Sequence, residues 1–421
     1  MKFLFVHQNF PGQFLHLVRH LARRRRHEVV FITEPNPNHI GGVRKVPYRK
    51  PQPAAEQTYV IARDLDAAGR RAAVVAHTAA SLRTLGFTPD IVIGHHGWGE
   101  LLNLPDIWPG VPLLGYMEFF YHTDRADVGF DEEFPSPVED FPRIRAKNAT
   151  NLLALGLGGH GQTPTEWQLS TYPEWAHPRI HLLREGVDLD LCKPASGRRG
   201  VTEVAGTRIG PREKLVTYLS RDLEPYRGFH VMMRTLPRLL AARADLRVVI
   251  VGGDGVSYGN PPPQDGKWQG KTWREAMLAE LGGRIDLSRV HFSGRLDYQE
   301  YIRLLQRSDA HVYLTYPFVA SWSLREALAM GCAVVGSDTE PVREFITHEQ
   351  NGLLTPFFDQ RQLSDSILRL IEDQPLAKRL RANARRYAEE NLAMADYLDR
   401  YQALIGRLTG APYEQGDLPA T

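Results

Sequence analysis

Two arginines follow an apolar segment in the second half of the chain and are spaced for binding a diphosphate. The stretch KLVTYLSRDLEPYRGF places Arg221 and Arg227 six positions apart, at the end of a predicted strand and the start of a helix. Two guanidinium groups in such a loop suit a diphosphate, because each forms charge-assisted bidentate hydrogen bonds. The alternative is a pair of surface arginines in ion pairs with Asp222 and Glu224, which contribute little to stability.

A second candidate group lies in TYPFVASWSLREALAMGCAVVGSD, which predicts a strand, a loop of small residues, a helix and another buried strand. Ser321, Trp322 and Ser323 place backbone amides at the N-terminus of that helix, where an anion is favoured. The carboxylate of Glu326 can accept hydrogen bonds from two sugar hydroxyls, which suits a nucleotide ribose. The alternative for Glu326 is an acid in the first helical turn, which is favourable for the helix dipole alone.

The first half of the chain offers a glycine loop and a pair of histidines. In HQNFPGQF, Gly12 allows the backbone to approach a ligand, and the helix that follows favours an anion. The alternative is an ordinary Pro-Gly turn. His95 and His96 follow the apolar segment DIVIG, where an acceptor-side role and a structural role are both open.

Apolar segments alternate with helical patterns and therefore predict an α/β fold with parallel, doubly wound sheets. The predicted strands of the first half are Lys2–Val6, Val29–Ile32, Ile91–Ile93 and the segments VPLLGYM and NLLALGLGG. Those of the second half lie in KLVTYLSRD, DLRVVIVGGDG, RVHFSG, AHVYLTYP and CAVVGSD. Residues 35–53, rich in proline and basic residues, are predicted to be a loop, and Leu363–Leu408 has helical periodicity.

The two series of elements predict two domains of similar size. We place the first domain at residues 1–194, a polar and glycine-rich linker at 195–213, and the second domain at 214–392. The final segment, 393–421, is expected to be helical and to cross back to the first domain.

Composition excludes several classes of protein. A chain of 421 residues with 43% hydrophobic and 24% charged residues is typical of a globular protein. A net charge of +2 provides no field that would favour nucleic acid as the partner. Cys192 and Cys332 are too few for a disulfide framework or a zinc site built on cysteine pairs. The apolar run Phe3–Val6 is too short for a signal peptide or a membrane span, so we expect a cytoplasmic protein.

Charge is uneven within the first domain. Residues 1–83 contain 14 basic and 5 acidic residues, whereas residues 84–140 contain 1 basic and 11 acidic. One interpretation is a surface for anionic lipid or a polyanionic acceptor, at the inner face of a membrane. The other is a solvated helix end. The basic residues concerned are Arg23, Arg24, Arg25, Arg26, Arg44, Lys45, Arg49 and Lys50.

The ordered set of these motifs resembles glycosyltransferase family 4, the retaining nucleotide-sugar enzymes of the GT-B fold. The resemblance covers nearly the whole chain, from the Gly12 loop through LREGVDLDLCKP, SRDLEPYRGF, VVIVGGDG and VHFSGR to SLREALAMGCAVVGSD. It implies two facing Rossmann-like domains with a cleft between them. The acceptor would bind the N-terminal domain and a nucleoside diphosphate sugar the C-terminal one. The products would be surface polysaccharides or glycoconjugates.

The resemblance also implies roles for individual residues. Arg221 and Arg227 match the basic pair that neutralises the donor diphosphate, the second of which is usually lysine. Glu326 matches the glutamate that holds the ribose, and Gly12 matches the glycine loop that closes over the phosphates. The remaining positions that match donor contacts are Ser321, Trp322 and Ser323, for sugar and phosphate, and Gly253, Asp254 and Arg295, for the base and ribose.

The chain departs from the family pattern at two positions. Phe318 stands eight positions before Glu326, where the family carries a glutamate near the donor sugar. A phenyl ring cannot hydrogen-bond a sugar hydroxyl, so the identity of the sugar is open. Glu118 occupies the position of a family histidine and is a candidate polar anchor or acceptor-side base.

The chemistry implied is departure of a nucleoside diphosphate from an anomeric carbon, for which charge stabilisation at the phosphates matters most. Arginines and helix N-termini supply it, so we expect no metal or other cofactor. We find no Asp-x-Asp metal motif in a plausible donor loop, since the nearest match, Asp188-Leu189-Asp190, falls at the linker. The alternatives are a GT-B sugar-nucleotide epimerase and a non-catalytic sugar- or nucleotide-binding relative. A two-lobed solute-binding protein is disfavoured because we find no signal peptide.

Overall fold

The chain forms two α/β units in a computed structural model that describes residues 1–24, 26–124, 126–196, 200–264 and 266–411. One unit comprises Met1–Gly186 together with the chain from Ala395 onward, and the other comprises Val187–Met394. Each unit is built around its own parallel sheet.

The first unit contains a sheet of seven parallel strands. Its strands are β1 (Lys2–Val6), β2 (Glu28–Thr33), β3 (Val43–Pro47), β4 (Ile91–His95), β5 (Leu113–Tyr116), β6 (His160–Thr163) and β7 (Ile180–Leu182). Its helices before the second unit are α1 (Leu15–Arg23), α2 (Arg63–Thr84), α3 (Leu104–Ile107), α4 (Phe141–Ala146), α5 (Ala149–Gly156) and α6 (Glu166–Thr171). Residues 3–6 of β1 are buried, as expected for a strand that is covered on both faces.

The order of strands in this sheet is β3-β2-β1-β4-β5-β6-β7. Strands are therefore added on one side of β1 up to β3 and on its other side from β4 onward, so the strand order reverses between β1 and β4, which pair in parallel. In open α/β sheets, ligands bind outside the carboxyl ends of the strands at such a reversal. The loops after β1 and β4 are therefore where the fold of the first unit favours ligand binding.

The second unit contains an antiparallel hairpin and a sheet of six parallel strands. The hairpin consists of β8 (Thr202–Val204) and β9 (Thr207–Ile209). The sheet strands are β10 (Lys214–Asp222), β11 (Leu246–Gly253), β12 (Val290–Gly294), β13 (Ala310–Tyr313), β14 (Val334–Ser337) and β15 (Leu353–Thr355). Their order is β12-β11-β10-β13-β14-β15, so the reversal lies between β10 and β13.

Helices cover this second sheet and continue into the first unit. They are α7 (Phe229–Ala242), α8 (Trp273–Leu281), α9 (Tyr298–Arg307), α10 (Trp322–Ala329), α11 (Glu340–Arg343), α12 (Gln360–Glu372) and α13 (Gln374–Asn391). The last helix, α14 (Met394–Thr409), lies almost wholly in the chain assigned to the first unit. Its Gln402 accepts a hydrogen bond from Arg24 at 2.8 Å. Residues 412–421 of the predicted final segment lie outside the described residues.

Short 3₁₀ helices connect several of these elements. They span Gly12–Phe14, Val60–Ala62, Val138–Asp140, Glu174–Arg179, Pro225–Arg227, Gly266–Trp268, Gly282–Arg284 and Leu287–Arg289.

Across the described ranges, no helix has both the length and the apolar character needed to cross a bilayer.

Two predictions of local structure were wrong. The segment NLLALGLGG belongs largely to helix α5, and the strand of this region is β6. Within α5, Asn151, Ala154 and Leu155 are buried while Leu152 and Leu153 are exposed, which is helical rather than alternating spacing. The predicted loop 35–53 contains β3, which pairs with β2 at the edge of the sheet and ends at Pro47, a position an edge strand tolerates.

The boundary between the units lies earlier than the predicted residue 194. Val187 donates its backbone N–H to Leu392 O at 2.7 Å. Arg385 donates to the carbonyl oxygens of Cys192 at 2.9 Å and Leu189 at 3.3 Å. Residues 187–194 are therefore bound into the second unit. The predicted linker 195–213 holds the hairpin β8–β9, which packs in that unit's core through buried Val204 and Ile209, while its residues 197–199 lie outside the described residues.

Candidate functional site

Most of the residues selected from the sequence lie beyond the carboxyl ends of strands in the two sheets. In the second unit they follow β10, β11, β12 and β13, which are neighbours in the sheet. In the first unit, Gly12 follows β1, His95 ends β4 and Glu118 lies two residues after β5. Both groups therefore lie at the edge where α/β sheets bind ligands.

Arg221 and Arg227 differ sharply in burial. Arg221 lies near the end of β10 and is exposed. Arg227 ends the short helix Pro225–Arg227 and is only 5% exposed. Its Nη1 donates to Thr315 Oγ1 at 2.7 Å and to Val319 O at 2.9 Å. The guanidinium of Arg227 thus holds the segment after β13 as well as carrying a charge.

The alternative in which these arginines form surface ion pairs with their acidic neighbours is contradicted. Asp222 pairs instead with Arg295 at 2.8 Å and accepts from Ser257 Oγ at 2.5 Å. Glu224 is fully buried, and its carboxylate accepts from backbone N–H groups of residues 257–259, at 2.9 Å from Gly259 N. Within the described ranges, neither Arg221 nor Arg227 forms an ion pair with either carboxylate.

Gly253, Asp254 and Arg295 lie at the ends of β11 and β12. A Cβ at Gly253 would lie 2.5 Å from Asp222 Oδ1 and 3.0 Å from Arg295 Nε. Glycine is therefore needed for the Asp222–Arg295 pair to cross the end of β11. Asp254 pairs with Arg274 at 2.5 Å, on the same edge of the sheet. The structure brings Gly253 and Arg295 together and commits Asp254 to a different arginine.

The start of helix α10 differs from the prediction in one respect. The backbone N–H of Ser321 donates to the hydroxyl of Tyr313 at 2.8 Å, so this amide is already used within the protein. The Oγ atoms of Ser321 and Ser323 lie 2.6 Å apart. Trp322 is 38% exposed at the first position of the helix. Ser323 and Trp322 thus remain the candidates for donor contacts from this loop.

Glu326 lies in the second turn of α10, because the helix begins at Trp322 and its first turn contains no acidic residue. The helix-dipole interpretation of Glu326 therefore fails. Its Oε1 accepts from Tyr298 Oη and its Oε2 from Tyr301 Oη, both at 2.6 Å. Burial raises the pKa of Glu326, an effect that the two hydroxyls oppose. These tyrosines were not predicted as site residues, although their spacing of three at the start of a predicted helix places them on one face.

Phe318, which replaces a family glutamate, belongs to an aromatic cluster. Its ring centroid lies 5.3 Å from that of Tyr258 and 5.6 Å from that of Tyr226. The guanidinium carbon of Arg227 lies 4.8 Å from the centroid of the Tyr258 ring. The guanidinium of Arg227 therefore packs against an aromatic cluster that includes Phe318. At the position of Phe318 the family pattern has a glutamate.

In the first unit, the ends of three adjacent strands bring His7, His95 and Glu118 together. His95 Nδ1 accepts from the backbone N–H of Gly97 at 3.0 Å, so Nε2 is the ring nitrogen that can donate. That Nε2 lies 3.5 Å from Glu118 Oε2, and Glu118 is 38% exposed. The rings of His7 and His95 meet edge to face at 5.8 Å between centroids. This group presents one exposed carboxylate backed by buried imidazoles.

His7 also explains the glycine at position 12. Gly12 has φ +56°, and a Cβ there would lie 2.8 Å from His7 Nδ1. Burial, followed by the neighbouring His95, lowers the pKa of His7 to about 3, so its ring is neutral. His7 was not predicted as a site residue. Its position immediately after the first apolar strand was the available signal, because that is where ligands meet such sheets.

His96 does not join this group. Its side chain is 2% exposed, and a Cβ at Gly115 would lie 1.8 Å from His96 Cδ2. Burial lowers the pKa of His96 to about 3, so it is a neutral core residue packed against β5.

The basic residues of the first unit are divided by their contacts. Lys45 Nζ donates to the carbonyl oxygens of Asn36 at 2.6 Å and Asn38 at 2.7 Å, so it fixes a loop. Arg24 is bonded to Gln402, as described above. Arg25 lies outside the described residues. The exposed members are Arg23, Arg26, Arg44, Arg49 and Lys50.

Comparison with solved structures identifies the class of fold. Anabaena HepE in complex with UDP-glucose is similar with a TM-score of 0.68 and 17% identity, over 97% of this chain and 100% of that one. Sucrose-phosphate synthase from Thermosynechococcus elongatus is similar with a TM-score of 0.66 and 17% identity, over 98% of this chain. The match covers 100% of the length of the synthase. The two parallel-sheet units therefore have the GT-B fold of glycosyltransferases, as predicted.

Two family models match successive parts of the chain. The model for the glycosyl transferase family 4 group matches residues 25–192, and that for glycosyl transferases group 1 matches residues 203–387. The chain belongs to glycosyltransferase family 4, a family of transferase enzymes. The D-inositol 3-phosphate glycosyltransferase of Nocardioides sp. is 25% identical over 302 residues, 70% of this chain and 62% of that protein. The matched part thus spans less than two thirds of this relative's length.

A second curated relative aligns over a shorter part. The phosphatidyl-myo-inositol mannosyltransferase of Mycolicibacterium smegmatis is 29% identical over 172 residues, 39% of this chain and 38% of that protein. Both relatives are glycosyltransferases, in agreement with the family models.

Proposed function

We propose that the protein transfers a sugar from a nucleoside diphosphate sugar to a hydroxyl of a glycan or lipid-linked acceptor, with retention of anomeric configuration. The observation that carries this proposal is the arrangement at the reversal of the second sheet. There the exposed Arg221 lies near the end of β10, the buried Arg227 follows that strand, and Glu326 follows the adjacent β13. A diphosphate and a ribose are the two ligand groups that these side chains suit.

In this proposal the bond between the anomeric carbon and the phosphate oxygen breaks, and the electron pair leaves with the nucleoside diphosphate. Arg221 and Arg227 stabilise the charge that grows on the phosphate. The acceptor oxygen forms the new bond to the anomeric carbon on the face that the phosphate leaves, and its proton passes to a phosphate oxygen. The product class is a surface polysaccharide or another glycoconjugate.

We place the acceptor side at Glu118 and His95 in the first unit. Glu118 is exposed enough to accept a hydrogen bond from an acceptor or donor hydroxyl, and His95 Nε2 faces its carboxylate at 3.5 Å. In this role Glu118 orients a hydroxyl, whereas the leaving phosphate takes the proton.

The proposal includes transfer without a metal ion, since two guanidinium groups already serve the phosphates. The Asp-x-Asp match is engaged elsewhere: Asp188 Oδ1 accepts from the backbone N–H groups of Asp190 and Leu191, both at 3.1 Å, and so forms a turn. This engagement supports the absence of a metal role for Asp188.

The first test is thermal unfolding with UDP, GDP, ADP, CMP and dTDP, each with and without EDTA. We expect one nucleoside diphosphate to raise the melting temperature selectively, and the shift to survive EDTA. Saturation at about 100 times the dissociation constant contributes roughly 2.7 kcal/mol. A shift abolished by EDTA would contradict metal-free binding, and no shift with any nucleotide would contradict donor binding. Binding without hydrolysis or transfer would indicate the non-catalytic alternative that Phe318 suggests.

We further propose that the exposed basic residues of the first unit contact an anionic membrane that carries the acceptor. Gly42, with φ +80°, would place a Cβ 2.9 Å from Ala22 O, so the start of β3 packs against the end of α1. This contact brings Arg44 and Arg23 to neighbouring segments, and both are exposed.

The protein is expected to co-sediment with phosphatidylserine vesicles at low salt and to be released as salt screens the charges. Replacement of Arg23, Arg26 and Arg44 by glutamine should abolish co-sedimentation, whereas Arg361→Gln, an exposed change on α12 of the second unit, should not. Failure of the wild-type protein to sediment at low salt would exclude the membrane role.

A further inference from the structure

The carboxylate of Glu326 accepts hydrogen bonds from two tyrosines of helix α9. Tyr298 and Tyr301 lie three positions apart in α9, on one face, and their rings stack with centroids 5.7 Å apart. Each hydroxyl donates to a different oxygen of the Glu326 carboxylate at 2.6 Å. The direction of these bonds is fixed, because an ionised carboxylate only accepts hydrogen bonds.

This arrangement leaves part of the carboxylate open. A carboxylate has about four lone-pair positions, two on each oxygen. The tyrosines use one on each oxygen, and in the described part of the chain no other side chain hydrogen-bonds Glu326. One acceptor position therefore remains on each oxygen, side by side, which matches the two adjacent hydroxyls of a ribose.

The tyrosines are themselves held in place. Tyr301 is 8% exposed and packs in the hydrophobic core of the second unit. The hydroxyl of Tyr298 lies 3.4 Å from Cys192 Sγ, in the segment that Arg385 binds to this unit. Burial raises the pKa of Glu326, and the two hydroxyls oppose this by stabilising the ionised form. The tyrosine hydroxyls are therefore fixed beside the two carboxylate oxygens to which they donate.

We propose that Tyr298 and Tyr301 are positioning residues that make Glu326 a double acceptor for the ribose 2′ and 3′ hydroxyls. The chain then selects ribonucleoside diphosphate sugars over 2′-deoxy donors such as dTDP sugars. This inference rests on the proposed function, since it takes Glu326 to face the nucleotide. It adds Tyr298 and Tyr301 to the candidate site, and it predicts that the 2′ hydroxyl of the nucleotide decides which donors bind.

The test compares the affinities for UDP and dUDP, and for GDP and dGDP, measured by calorimetry. The variants are Tyr298→Phe, Tyr301→Phe and the double change. Tyr387→Phe is the matched control, because its hydroxyl donates to Glu344 O at 3.1 Å in the same unit. We expect the wild-type protein and the control to prefer the ribonucleotide by roughly 10- to 100-fold, as a hydrogen bond to a charged group suggests. In the double variant the preference should fall to about 3-fold or less.

The outcomes separate this inference from the proposed function. If the double variant folds and keeps the wild-type preference, or loses affinity for both members of a pair equally, the positioning role is overturned while nucleotide binding stands. If the wild-type protein binds UDP and dUDP, or GDP and dGDP, equally well, the ribose role of Glu326 is overturned. If it binds no nucleotide, the proposed function fails and this inference fails with it.

Discussion

Replacing Arg221 by alanine is expected to lower kcat/KM for sugar transfer by about 100-fold and to leave the melting temperature unchanged. The side chain is exposed, and within the described ranges it makes no hydrogen bond or ion pair, so its loss does not disturb the fold. A hydrogen bond from a charged donor to phosphate contributes about 1.5–3 kcal/mol, which is roughly a 10- to 150-fold effect on rate. The measurement is the initial rate with the nucleotide sugar identified by the thermal screen.

The control for this experiment is Arg361→Ala. Arg361 is 82% exposed on α12, so it tests whether removing any surface arginine of the second unit affects turnover. Full activity of Arg221→Ala would show that this arginine does not contact the donor phosphates, and equal losses in both variants would point to a general charge effect.

Replacing Arg227 by alanine is expected to destabilise the second unit in addition to abolishing transfer. The change leaves Thr315 Oγ1 and Val319 O without their buried partner and removes the cation over Tyr258. Loss of such buried contacts costs about 3 kcal/mol. For a unit of this size that corresponds to a fall of roughly 6–12 °C in melting temperature, measured by calorimetry.

Arg227→Lys provides the matched comparison. Lysine keeps the charge, and the resemblance implies that it is the usual family residue here, but its point charge lacks the planar fork that bonds both Thr315 and Val319. Its stability and nucleotide affinity should lie between those of the wild-type protein and Arg227→Ala. A melting temperature for Arg227→Ala equal to that of the wild type would show that the contacts to Thr315 and Val319 contribute nothing.

Strand positions in this chain were predictable where apolar runs were short and bounded by polar residues. Lys2–Val6 is a strand with the predicted bounds, and Ile91–Ile93 was extended only to His95. The prediction failed at NLLALGLGG, since an apolar run of eight or nine residues fits a buried strand and a partly exposed helix equally well. The edge strand at Val43–Pro47 was missed because its proline and basic residues are typical of loops.

The candidate site was predictable where function depends on residue type at a strand end. Arg221, Arg227 and Glu326 were selected in this way, and the structure places Arg221 near the end of β10, Arg227 after it and Glu326 after the adjacent strand β13. Their surroundings were not predictable, because they depend on contacts between distant segments. Spacing alone does not indicate that Arg227 is buried or that Tyr298 and Tyr301 hold Glu326.

The two ends of the second unit lie next to each other, and this determines where the chain can be divided or recombined. Val187 and Met394, its first and last residues, are joined by a backbone hydrogen bond from Met394 N to Val187 O at 3.1 Å. The unit is therefore a continuous insert whose two ends meet, whereas the other unit is assembled from both termini of the chain. Replacing residues 187–394 by the same segment of another family member requires two joins at one place. A simple division of the gene after residue 186 would instead separate α14 from the unit that it completes.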